Sequence, residues 1–274
     1  MPAISAYQDA SRGDWRKPRE WFAFHTHSAL QALALRWAGS VVVFSDNMRR
    51  QVERFTQGNV SAHVISPGVD QARFRPPNES ERFAARRALG LPERGSIILG
   101  LGRFARVKGY ERGIKALQNL PGEVFLVLVG SGPCEQEYRQ TAKKFGVSER
   151  VIIHARTSTP EEYYHAANVF LFTSVHEPFG QVLLEASCSG LPVVAFRPGS
   201  GVETATEEIY RGLDSLVHWA NADQAASLPQ AVMQALISQR GDSERSAKDA
   251  RQLRKRFSWE TTVYELSRLE RGRN

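Results

Sequence analysis

Two carboxylates, Glu177 and Glu185, flank the start of an otherwise apolar helix in the stretch SVHEPFGQVLLEASCSGLPVVAF, residues 174–196. A carboxylate accepts two hydroxyl donors at once, which suits a vicinal diol. Phe179, Gly180, Gln181 and Val182 lead into the helix, where unpaired backbone N–H groups can hold an anion or an oxygen-rich ligand. Glu185 lies roughly 7.5 Å along the axis from Gly180, within reach of a ribose diol, while Glu177, nearer the loop, can face a sugar. A second segment, GLGRFARVKG (100–109), carries Gly102, Arg103 and Lys108 in a glycine-flanked loop. The two cations are close enough to grip one diphosphate, Arg with a planar fork and Lys with a compact charge. A third, VGSGP (129–133), offers Gly130 and Gly132 for close backbone approach, although such turns are usually structural. Taken singly, either glutamate reads as a solvated charge. Their combination with a cationic loop at the end of another strand points to a ligand.

These groups need a frame that brings them together. From Ser96 onward, apolar runs at 96–102, 123–130, 150–154, 168–174 and 192–196 alternate with helical spacing at 110–120 and 135–145. TPEEYYHAA, with Thr159 as N-cap and Pro160 at the first position, opens a further short helix. A shorter strand is expected at 215–218. Strands apolar throughout and separated by helices imply a parallel sheet covered on both faces. Right-handed crossovers make that a doubly wound, Rossmann-like α/β domain, whose ligands sit beyond the carboxyl ends of the strands. The first part differs: 30–37 reads as helix, 40–45 as strand and 46–55 as helix. HVISPGVDQARFRPP (63–77) reads as a linker between domains. One strand and two helices are too little for an independent core.

The 274 residues are 42% apolar and 24% charged, ordinary globular composition. No apolar run is long enough to span a membrane, and the first residues lack a signal core. Cys134 and Cys188 both fall in expected helices, so a disulfide framework is not indicated and a reducing cytoplasm is expected. The net charge of +7 suits anionic partners, with arginines clustered at 12–19 and 251–256. No motif argues for nucleic acid. His25 and His27 read as surface or core histidines, and His176 as a loop residue lacking the second His of a zinc motif. Arg156 has the reach to touch a nucleotide base, but Ala155 and Thr157 are equally placed.

The pieces ISPGVD, GRFARVKG and HEPFGQVLLEASCSGLPVVA resemble, in order and spacing, the family 4 glycosyltransferases of GT-B fold. The resemblance runs from about Ser40 to Leu269 and includes the Glu, seven residues, Glu signature at Glu177 and Glu185. It implies a partial N-terminal, acceptor-side segment with linker (1–77) and a nucleotide-sugar-binding Rossmann-like domain (78–256). It also implies a C-terminal helix (257–274) crossing back to the first segment. It implies that Arg103 and Lys108 hold the diphosphate, that Glu177 contacts the donor sugar and Glu185 the ribose, and that the backbone from Phe179 to Val182 runs along them. Gly102 belongs to the same donor loop. Retaining transfer to a glycan or lipid-linked acceptor follows, as in polysaccharide or lipopolysaccharide biosynthesis, with no metal or other cofactor. Peripheral contact with an anionic membrane is also expected. The family's first domain is normally longer than the residues before Arg75 here. That leaves two alternatives: a truncated nucleotide-sugar-binding module, which a partner chain would complete, or a GT-B sugar-nucleotide epimerase.

Overall fold

The computed structural model describes Leu30, residues 33–35, 37, 38, 40–238 and 243–271. Contacts divide the chain into two compact units, Met1–Val64 and Ile65–Asn274.

In the first unit, β1 (Val41–Val43) and β2 (Ala62–Val64) pair in parallel across α1 (Asp46–Phe55). Ser45 caps α1, its hydroxyl accepting from the N–H of Met48 at 3.0 Å. Val41, Val43, Val52, Val60 and Ala62 form a small core. The described residues between Leu30 and Trp37 are helical, as the spacing predicts. The presumed linker is corrected at its start: His63 and Val64 belong to β2, so a second strand precedes it. Three residues are too few to show a periodicity, and their extended state is set by the partner strand. Beyond Val64, the Pro- and Gly-rich stretch belongs to the second unit. The N–H of Val69 bonds the carbonyl of Phe257 at 3.0 Å, and Gln71 Nε2 donates to the carbonyl of Arg254 at 2.7 Å.

The first helix of the second unit is α2 (Glu79–Ala88), which the sequence reading passed over although Asn78 and Glu81 form a capping box at its start. There follow β3 (Ser96–Leu101), α3 (Tyr110–Ala116), β4 (Val124–Val129), α4 (Glu135–Lys144), β5 (Val151–His154), α5 (Pro160–Ala166) and β6 (Val169–Phe172). Then come β7 (His176–Glu177), α6 (Gln181–Cys188), β8 (Val193–Phe196), β9 (Glu203–Thr204), α7 (Thr206–Tyr210) and β10 (Val217–Ala220). The described elements end with α8 (Ser227–Ser238), α9 (Ser243–Arg256) and α10 (Trp259–Arg271). The expected strand at 215–218 thus lies two residues later. Cys134 precedes α4 rather than lying inside it, and both cysteines are free and buried. Thr159 stands at the start of α5 but does not cap it; its hydroxyl meets that of Thr157 at 3.2 Å.

Six strands form one parallel sheet in the order β10-β8-β6-β3-β4-β5. Counted along the chain, this is the doubly wound order 3-2-1-4-5-6, with its reversal between β3 and β6. Both faces are covered. One core gathers Leu99, Val127, Tyr164, Phe170, Leu183 and Leu253, the other Ile114, Leu126, Tyr138, Leu171 and Val232. Chain continuity then delivers the loops after β3 and β6 to the same edge of the sheet, at the point where a crevice must open.

Candidate functional site

The loop after β3 (102–109) and the loop after β6 (173–180) are bonded to each other. The Thr173 hydroxyl donates to the Lys108 carbonyl at 2.8 Å, and the N–H of Val175 to the carbonyl of Val107 at 2.8 Å. Gly109 at the end of the first loop has φ 62°, and a Cβ there would stand 2.4 Å from the Thr173 carbonyl oxygen. This contact brings the donor-loop lysine to the acid: the Lys108 ammonium bonds Glu177 Oε2, both side chains being less than one-fifth exposed. The short pairing of β7 with β9, His176 opposite Glu203 and Glu177 opposite Thr204, holds the strand that carries this acid. His176 is half-buried there, with Nδ1 3.6 Å from Glu203 Oε2, rather than standing in a free loop.

Beside this ion pair lies a cleft of about 590 Å³ lined by Gly102, Arg103, Gly130, Arg156, Val182 and Glu185, among others. Arg103 is exposed and has no ion pair or side-chain hydrogen bond among the described residues, so its fork is available. The tight turn after β4 is part of the wall. A Cβ on Gly130 would stand 1.9 Å from the Gly102 carbonyl, so the two loops meet backbone to backbone. The glycines of VGSGP are therefore both structural and lining. Gly180, at φ 95°, turns the chain into α6.

Glu185 is held by a partner that the sequence reading missed. The hydroxyl of Tyr164, fully buried on α5, donates to Glu185 Oε2 at 2.8 Å. Burial raises the Glu185 pKa, against the lowering effects of the Tyr164 hydrogen bond and of Arg73. Arg73 is fixed by Glu161, its Nε donating to Oε2 at 2.8 Å. The remaining expected residues divide. Gly102, Arg156 and Val182 line the cleft. The Phe179 ring is buried, edge-on to Phe257 at 6.2 Å, and the Gln181 amide donates to the carbonyl of Gly68 at 3.0 Å. Their side chains are therefore committed to packing, and only their backbone is left for a ligand. His25, His27 and the basic run at 12–19 lie outside the described residues. In the run at 251–256, Arg254 bonds the carbonyls of Phe74 and Cys188, and Arg256 those of Glu208 and Ile209, so half of that basic cluster is structural.

The raised Glu185 pKa has a measurable consequence. Between the unfolded carboxyl value, about 4.3, and the higher folded one, the native state binds more protons than the unfolded chain. Stability from this group therefore falls as pH rises through that window. Glu185→Gln keeps an acceptor for Tyr164 and removes the charge. It is expected to melt higher than the parent at pH 8, with the difference vanishing at pH 4. A variant that melts lower at pH 8 would contradict the assignment.

Comparison with known proteins gives concordant results. The family described as "Glycosyl transferases group 1" matches residues 81–253, more than half of the chain. A D-inositol 3-phosphate glycosyltransferase of Xylanimonas cellulosilytica is 35% identical over 212 residues, covering 72% of this chain and 48% of that protein. One from Corynebacterium urealyticum is 34% identical over 228 residues, covering 76% and 50%. The chain thus spans about half the length of the curated relatives it matches. Among solved structures, sucrose-phosphate synthase from Thermosynechococcus elongatus superposes with a TM-score of 0.75 at 25% identity, over 90% of this chain and 61% of that one. Anabaena HepE in complex with UDP and glucose gives 0.74 at 22% identity, over 89% and 66%, a likeness of fold. No described helix is long and apolar enough to cross a membrane.

Proposed function

The chain belongs to the group 1 glycosyl transferases, and from that premise we propose that it binds a nucleotide-diphosphate sugar and passes the sugar, with retention of configuration, to a hydroxyl of a glycan or lipid-linked acceptor. The observation that carries this reading is the convergence, at the β3/β6 reversal, of an unpaired Arg103 and a Tyr164-held Glu185 in one cleft beside the Lys108–Glu177 pair. Glu185 accepts the ribose diol. Arg103 and Lys108 meet the diphosphate, and Glu177, released from Lys108 as the phosphate replaces it, turns to the sugar hydroxyls.

In the reaction, the bond from the anomeric carbon to the diphosphate oxygen breaks and its electron pair stays on the diphosphate. Arg103, Lys108 and the N-terminal dipole of α6 stabilise that charge, so the proposal requires no metal. The diphosphate oxygen takes the proton of the acceptor hydroxyl as the new bond forms on the same face. The relatives' names support glycosyl transfer; the inositol phosphate in those names is theirs. Building of a polysaccharide, lipopolysaccharide or glycolipid in the cytoplasm, with the basic surface (net +7) drawing the protein to anionic membrane, completes the proposal.

Saturating UDP, at about 100 times its dissociation constant, is expected to stabilise the fold by about 2.7 kcal/mol. In a unit of this size that is about 5–10 °C in melting temperature. GDP and ADP run in parallel identify the base, and no shift with any of the three would sink the donor assignment. A second reading is a donor-binding module that transfers only with a further acceptor-binding part, such as a partner chain. Donor binding without sugar transfer or hydrolysis across a broad acceptor panel would select it. Conversion of a UDP-sugar without acceptor would select an epimerase instead.

A further inference from the structure

A second cleft, of about 370 Å³, shares no lining residue with the first and lies between α3 and the segment from Asn221 into α8. That volume lies at the small end of ligand pockets, which run from about 300 to 1,000 Å³. Arg112 and Lys115 line it, one turn apart on the same face of α3. Neither forms an ion pair among the described residues. Arg73 and Arg75 have carboxylates, and Arg86, Arg150, Arg254 and Arg256 have carbonyls. Arg112 Nη1 is shielded from solvent and has no hydrogen-bond partner. Buried donors of this kind are rare because leaving one unmade is costly, most of all on a charged group.

The guanidinium lies over the Phe196 ring, 5.1 Å from its centroid, and the Lys115 ammonium over Phe145 at 5.7 Å. The Phe196 ring gives the guanidinium an apolar, cation–π support, and a planar fork with an unmade hydrogen bond is suited to a phosphate. The rest of the wall is largely apolar, with the amides of Gln118, Asn119, Asn221 and Gln224 set into it; Asn221 Nδ2 already donates to Gln224 Oε1 at 3.2 Å. Asp223 is the lining carboxylate and is exposed. It repels a bare dianion but accepts from a hydroxyl.

We propose that this cleft is a second anion site, separate from the donor cleft, that takes a small hydroxylated phosphate monoester, with its phosphate on Arg112 and Lys115 and its hydroxyls on the amides and Asp223. The site does not depend on the transferase reading.

Glycerol 2-phosphate is the probe, titrated calorimetrically into the full chain at constant ionic strength with the donor cleft filled by saturating UDP. Saturable binding is expected, weakened tenfold or more by Arg112→Met, which keeps an apolar stem over Phe196, and also by Lys115→Met, which alters an exposed position. The same titration into Lys108→Met without UDP should show the site intact, so a failure of UDP binding leaves this test standing. Absence of saturable binding overturns the proposal, as does affinity unchanged in both variants. Inorganic phosphate binding more tightly than the ester would overturn the assignment of a hydroxylated ligand.

Discussion

Lys108→Met is expected to slow sugar transfer by about 10²–10³-fold, the usual effect of removing one preorganised donor from the charge that develops on a leaving group. The ammonium is in position before any ligand arrives: the 108 carbonyl is bonded by Thr173, the neighbouring Val107 carbonyl by Val175, and the Nζ by Glu177. Little reorganisation is then needed when phosphate replaces carboxylate. The substitution also strands Glu177 with under one-fifth of its side chain exposed, so part of any loss could come from an uncompensated acid rather than from chemistry. Lys108→Met/Glu177→Gln, compared with Glu177→Gln alone because Glu177 itself meets the sugar, separates the two. It restores neutrality and should recover the melting temperature while turnover stays low. Nucleotide release from the donor, followed with and without acceptor, reads the rate. Wild-type turnover in Lys108→Met would remove Lys108 from the mechanism, and turnover in the double variant equal to that of Glu177→Gln would reduce its role to balancing Glu177.

The difference between what the sequence shows and what it hides follows the range of the interactions involved. Strands buried on both faces, such as SIILGL and VFLVLV, announce themselves as continuous apolar runs, and the doubly wound order follows from their alternation with helices. Strands β2, β7 and β9 carry two or three residues each and exist because a partner lies alongside. Nothing local marks them. The site shows the same division. Arg103 and Glu185 are candidates from residue type and from the rule that ligands gather beyond strand ends, and both line one cleft. That Lys108 pairs with Glu177, and that Tyr164 serves Glu185 from 21 positions away, depends on how two loops and two helices pack. Phe179 and Gln181 show the converse. Their position beside the signature acid marks them as ligand contacts, yet packing on Phe257 and Gly68 takes up their side chains.

Arg86 is the strongest case of a group whose role is invisible in the sequence, and Arg86→Met is expected to be the most destabilising of these substitutions. In ESERFAARRA it is one arginine of a helix rich in charge, and the ordinary reading is a solvated face. In the fold it is 4% exposed. Its Nε donates to the Ala166 carbonyl at 2.9 Å, its Nη1 to those of Glu93 and Gly95 at 3.1 Å each, and its Nη2 to Asn168 Oδ1 at 2.7 Å. The same Asn168 oxygen accepts from the N–H of Ile97 at 2.8 Å. One guanidinium thus ties α2 and the turn before β3 to the end of α5 and the entry to β6. Methionine fills much of the volume but abandons three backbone carbonyls, the Ala166 one in the buried interior. Losses of this kind amount to about 3–5 kcal/mol, and so to roughly 6–20 °C in melting temperature for a unit of this size. Lysine should rescue little, because a compact ammonium cannot span partners that a planar fork reaches together. The denaturant midpoint should fall with the slope unchanged, the mark of lost stability rather than altered compactness. Arg86 acts at the amino ends of β3 and β6, and the donor cleft opens beyond their carboxyl ends. UDP affinity measured well below the lowered melting temperature should therefore stay within a few-fold of the parent. A variant that kept its stability but lost UDP would reverse the assignment and place Arg86 in the site.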